Sequence, residues 1–121
     1  GVSVDRVSRT EGYNYWAGEI TETLDNVPKT DFVFSHDTPE RFNHSTATLP
    51  NSWGWYVDRD PTLMEDCALQ RANITNLCEK SGAKFIVYGH FHNTLDETID
   101  GIRAKCIDQN LLWEFNAESY D

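Results

Sequence analysis

The chain has 121 residues, 20 acidic against 10 basic, for a net charge of -10; that is one domain spanning residues 1–121, long enough for a single core and too short for a second. The acidic balance excludes a general nucleic-acid grip, which needs a basic stripe to collect phosphates, and no run approaches the roughly 18 consecutive apolar residues of a membrane span. Cys67, Cys78 and Cys106 form no CxxC pair, and their odd number reads against a disulfide framework; with no signal-peptide pattern at the start, a reducing cytoplasm is the expected compartment.

Residues 2–7 alternate apolar and polar side chains and predict a short strand, with Asp5 and Arg6 as a solvated surface pair. Gly1 in place of methionine reads as a trimmed or processed start. Residues 12–18, aromatic and bounded by Gly12 and Gly18, predict a loop packed on the body. A short helix is expected over residues 19–26, ending before Pro28 because the residue preceding a proline avoids helical geometry. Residues 31–35 predict a strand whose Phe32, Val33 and Phe34 make it apolar enough to lie inside a sheet rather than on its edge. His36 and Asp37 emerge where that strand ends, and Thr38-Pro39 turns the chain away. Residues 40–60 hold Pro50, Gly54, Trp53 and Trp55 without clear periodicity, and a loop of that length reads as a wall of a site. The plainer reading of the two tryptophans is packing against the domain.

Asp60-Pro61 opens the strongest helix signal, with Asp60 as N-cap, Pro61 in the first turn, and Glu65 and Asp66 near the positive end of the dipole. Leu63, Cys67, Ile74, Leu77 and Cys78 recur at three- and four-residue spacing on one face, and Ser81-Gly82 ends the helix. On that stripe Cys67 and Cys78 read as buried small hydrophobes rather than reactive thiols. Asn-x-Ser/Thr sequons at Asn43 and Asn73 read as chance occurrences, since Asn73 falls inside the helix. Residues 95–99 and 102–109 flank Asp100-Gly101, a strong two-residue hairpin signal, and Ile102, Ala104, Cys106 and Ile107 supply its inner face. A last strand is expected over residues 111–115 and a frayed acidic end over 118–121. The order of elements predicts an α/β fold, a mixed β-sheet with helices on one face.

The stretch that carries chemistry is Phe85-Ile86-Val87-Tyr88-Gly89-His90-Phe91-His92-Asn93. An apolar run stops at a glycine and two histidines follow, so a buried strand presents imidazoles at its far end. In an extended chain His90 and His92 share one face, while a turn beginning at Gly89 aims them at two neighbouring ions. Neutral imidazole is a common ligand for zinc, manganese and iron. The bland account is that His90 and His92 finish a strand and His36 is incidental; His44 lies outside any motif.

Gly89-His90-Phe91-His92 at one strand end and Phe32-Val33-Phe34-Ser35-His36-Asp37 at another together resemble the last two motifs of the calcineurin-like metallophosphoesterases. Ser3-Val4-Asp5-Arg6, with Arg9, Gly12 and Tyr15-Trp16 after it, is similar to the segment that follows the third metal motif in bacterial and phage members. The resemblance covers nearly the whole chain in family order, and the phage likeness implies a viral protein working in a bacterial cytoplasm. The family's Asp-x-His, Gly-Asp and Gly-Asn-His motifs do not occur in these residues, so the chain looks like a C-terminal half, corresponding to half of the four-layer α/β/β/α sandwich.

The resemblance implies that His36 and His90 bind one divalent ion and His92 the other, the ions being manganese, iron or zinc and the bridging carboxylate coming from the absent half. In the family such paired ions share a hydroxide that attacks a phosphoester in line. Asp37 and Asn93 would support the ligands or touch substrate; Asp37 reads equally as a turn-forming aspartate before Thr38-Pro39. No acid or base of the reaction is assigned to this half. Catalytic zinc sites use three protein ligands, and two for one ion with one for the other predict weak metal binding and poor hydrolysis by the isolated chain. Half a sandwich leaves an apolar sheet face bare, which predicts a partner, either the N-terminal half of the fold or a second copy. The competing readings are a non-catalytic binding or regulatory module that uses that face or the Trp53/Trp55 loop, and a single structural ion held by His36, His90 and His92.

Overall fold

The computed structural model describes residues 2, 5–18, 24–42, 53–91, 93–108 and 112–114. Phe85–Tyr88, fully buried along its length, is an inner strand of a four-stranded sheet. In chain order the strands are β1 (Phe32–Ser35), β2 (Phe85–Tyr88), β3 (Leu95–Ile99) and β4 (Ile102–Cys106), and in space they run β1-β2-β4-β3. β2 lies parallel to both β1 and β4, with Phe32 opposite Phe85 and Phe85 opposite Arg103, while β3 and β4 are antiparallel. Two helices, α1 (Trp53–Arg59) and α2 (Leu63–Ser81), lie between β1 and β2 in the chain. The fold is therefore a mixed α/β arrangement, as the order of elements predicts.

The register divides the sheet into two unlike faces. On one, Val33, Ile86, Tyr88, Ala104 and Cys106 join Ile74 and Cys78 of α2, with Phe42, Ala83 and Phe91, in a continuous core. Of the predicted stripe on α2, Ile74, Leu77 and Cys78 pack there, while Leu63 is buried outside that cluster and Cys67 is only partly buried. On the other face Phe85 stacks on Trp113 at 5.8 Å and meets Phe32 at 5.7 Å. Beside them the Arg103 fork binds both oxygens of Asp96, at 3.0 and 2.8 Å.

Turn chemistry sets two boundaries. Gly82 takes the left-handed conformation (φ 72°) after α2 and its N–H donates to Cys78 O at 3.1 Å, closing the helix. Asp100 and Gly101 both have positive φ, 52° and 77°, as a two-residue I′ hairpin turn requires.

Several expectations are corrected. β1 is an edge strand, and Phe34 on it is 68% exposed, although its composition predicts an interior position. The 2–7 strand is not formed over its described part: Asp5 is in a turn and Arg6–Ser8 is a 3-10 helix. Arg6 is no solvated partner of Asp5. Its Nε donates to Asp60 at 2.6 Å and its Nη2 lies 2.8 Å from Asp66, while Asp5 pairs with Arg9. The N-cap of α2 is Thr62 rather than Asp60, and the helix starts at Leu63, although the Asp60 carboxylate still accepts the Thr62 N–H. The 40–60 segment is not all loop, since Glu40–Phe42 is a 3-10 helix and Trp53–Arg59 is helical. Residues 24–26 of the expected 19–26 helix and 112–114 of the expected last strand are in neither element. Residues 19–23 and 43–52, with Asn43 and His44, and the 118–121 tail lie outside the described residues, as do 111 and 115. Among the described residues no helix is long and apolar enough to cross a membrane.

Candidate metal site

β1 and β2 are neighbours and parallel, so their C-terminal ends open at the same edge, the place where open α/β sheets present ligands. Ser35 pairs with Tyr88 at that edge, which puts the residues following each strand side by side. The Gly89 N–H then donates to His36 O at 3.0 Å, joining the two connections. The His36 and His90 rings meet edge-on with centroids 4.9 Å apart, and His36 Nε2 lies 3.1 Å from His90 Nδ1.

That separation is chemically specific. Two nitrogen ligands at about 2.0–2.1 Å from one tetrahedral ion lie about 3.3 Å from each other. A single hydrogen bond between rings, its direction set by the tautomers, needs nearly the same spacing. The pair can thus share a proton or hold one side of a small cation with little movement.

The backbone at His90 is unusual. Its φ is 71°, and Phe91 N–H donates to Gly89 O at 2.8 Å, closing a three-residue turn around the histidine. A turn at Gly89 is what the sequence predicts, yet the residue bearing the positive φ is His90, where an L side chain is strained. Strain of this kind persists where the surroundings impose it, and it clusters at functional sites. A Cβ at Gly89 would meet Ile107 O at 3.8 Å, ordinary contact, so this glycine is not required by crowding.

No family model, curated protein or solved structure matches the chain. The site must therefore be read from its own side chains.

Asp37 follows His36 and is buried. Its Oδ1 accepts the Thr38 N–H at 2.8 Å and faces Arg71 Nε of α2 at 3.5 Å. The Ser35 hydroxyl donates to Asp37 O at 2.6 Å, tightening the same turn. Asn93, at the far end of the β2–β3 connection, turns its Oδ1 toward the Cys106 thiol, 3.8 Å away, and Cys106 Sγ also lies 3.6 Å from Gly89 O. Burial pushes the Cys106 thiol up to about 11, so it remains neutral, with one S–H to share between an acceptor at each end of the connection. Burial likewise raises the Tyr88 hydroxyl. His92 lies outside the described residues. Among the described residues no group of three or more His, Cys, Asp or Glu side chains converges as a metal cage, and His36 and His90 supply two donors.

The described clefts lie elsewhere. One of about 210 Å³ is lined by Pro39, Arg41, Cys78, Lys84, Ile86 and Ile102 among others, and one of about 360 Å³ surrounds Arg6, Arg59 and Asp60. What sequence reading missed is Arg71. Four residues after Cys67 and three before Ile74, it is a cation on the apolar stripe of α2, and that anomaly was visible in the spacing.

Proposed function

We propose that His36 and His90, with His92, are the ligands of a divalent-metal site in the C-terminal part of a two-metal phosphoesterase, and that this chain alone is a poor catalyst. The observation that carries the reading is the 3.1 Å approach of two imidazole nitrogens at adjacent parallel strand ends, one of them on a left-handed residue. The donor set fits an ion in part, because two neutral nitrogens already converge at ligand spacing. When bound, such ions neutralise phosphoryl oxygens and lower the pKa of water. The chain's own residues hold and orient: β1 and β2 bring the two histidines to one edge, and the Gly89–His36 backbone hydrogen bond joins the connections that carry them.

The finer architecture belongs to the same proposal. α2 covers one face of the sheet, and the opposite face, with Phe34 exposed, corresponds to the surface on which the other half of a four-layer sandwich, or a second copy, would sit. A phosphoester is the substrate class of the completed protein. The alternative is a non-catalytic module of the same ancestry that uses the exposed β1 edge of that face, around Phe34, to hold a partner; the exposure of Phe34 is the observation in its favour.

Titration with Co(II) or Mn(II), beside hydrolysis of an aryl phosphate, tests the proposal. The expected result is weak binding by the wild-type chain, lost in His90→Ala, with negligible turnover. Two ions per complex on addition of the missing half support the enzyme. One tight ion in the lone chain indicates a structural site, and no binding in either state indicates the module. Robust turnover by the isolated chain, abolished in His90→Ala, would refute the claim that it is incomplete.

A further inference from the structure

We propose that Arg71 is the positioning residue of the histidine pair, a single guanidinium that holds the His36 and His90 connections in register; the inference rests on reading that pair as the site. Arg71 projects from α2, and its Nε lies 3.5 Å from Asp37 Oδ1. The same guanidinium sits over the Phe91 ring, its Cζ 5.2 Å from the centroid. Asp37 immediately follows His36 and Phe91 immediately follows His90, so Arg71 touches the chain neighbour of each ligand. The link continues through side chains on one branch, because the Phe91 ring meets the His90 ring edge-on at 5.1 Å and the Tyr88 ring at 6.0 Å. Asp37 and Phe91 are both buried and the Arg71 side chain is 19% exposed, so all three have little room to rearrange.

The chemistry asks for arginine rather than any cation. A buried carboxylate needs a charged partner, and a lysine could supply that charge. A planar guanidinium can lie over an aromatic ring while its delocalised charge stays within ion-pair distance of a carboxylate, a combination a compact ammonium makes less well. The cation is carried on the rigid middle of a 19-residue helix, which is how supporting groups keep ligands to sub-ångström tolerance. Supporting residues behind metal ligands typically change affinity 10–100-fold when removed.

The test compares wild type, Arg71→Lys and Arg71→Met, well below their melting temperatures, by the nuclear Overhauser cross-peak between the His36 and His90 ring protons and by Co(II) affinity. In both folded variants the cross-peak should weaken or vanish and Co(II) affinity fall at least tenfold. A role confined to stabilising the fold would lower the melting temperature and leave the ring cross-peak of the folded fraction unchanged; that result overturns the proposal. Should Arg71→Met fail to fold, Arg71→Lys keeps a charge facing Asp37 and removes the planar group over Phe91; loss of the cross-peak there supports the proposal and its retention overturns it. The cross-peak is read without metal, so a wild type that binds no Co(II) sinks the metal reading while Arg71 is still judged.

Discussion

A histidine held at φ 71° is the sharpest local feature of this molecule. Left-handed backbone costs an L residue about 1–2 kcal/mol, which glycine does not incur. His90→Gly should therefore be more stable than His90→Ala by about 1 kcal/mol, after allowing for the extra freedom glycine gains in the unfolded chain. Urea denaturation of the two variants checks this; equal midpoints would mean that the turn relaxes once the imidazole is gone. The cysteines behave in the opposite way, as quiet packing residues. Burial is the first cause lifting the Cys67 and Cys78 thiols to about 11, which keeps them protonated near neutrality. Cys78 is buried as its place on the stripe predicts, and Cys67 is only partly so.

Among the elements, the start of α2 shows a long-range ion pair added to a local backbone contact. The Asp60 carboxylate accepts the Thr62 backbone N–H next to it and also receives Arg6 Nε at 2.6 Å and Nη2 at 3.1 Å from 54 residues away. Thr62 takes the cap position and makes no side-chain cap bond. Both side chains of the ion pair are largely shielded, 12% and 10% exposed, so Arg6→Ala should cost about 2 kcal/mol, the usual worth of hydrogen bonds to a charged group. The Arg6 hydrogen bond holds the Asp60 carboxyl below its ordinary range. A depressed carboxyl contributes stability above its unfolded value of about 3.9 and loses it as pH falls through the lower folded value. The stability gap between wild type and Asp60→Asn should thus be full at about pH 6 and shrink progressively as pH falls through about 3.9 and toward the lower folded value. A gap that does not change with pH would assign the effect to packing instead.

At the scale of the whole molecule, the strand order matters more than any strand's composition. β1 has the apolar content of an interior strand and lies at the edge, leaving Phe34 68% exposed beside Phe32. An apolar edge strand invites pairing or coverage. Under the proposed ancestry, the purified chain should run as a dimer in light scattering, or bind a hydrophobic dye as a monomer, and Phe34→Asp should diminish whichever is seen. A monodisperse monomer that binds no dye would remove the case for a missing half or a second copy.

The features legible in the residues are those set by local chemistry. Asp100-Gly101 can supply the two positive φ angles of the hairpin, Gly82 can close α2, and the apolar run 85–88 can lie only where both its faces are covered. His36 and His90 come together because β1 and β2 are parallel neighbours, a pairing that neither motif by itself specifies. Tertiary structure alone decided the edge position of β1, the capture of Asp60 by Arg6, the helix at Trp53–Arg59 and the reach of Arg71 to both connections. Each depends on which distant segment lies alongside, and neighbouring residues in a chain carry no record of that.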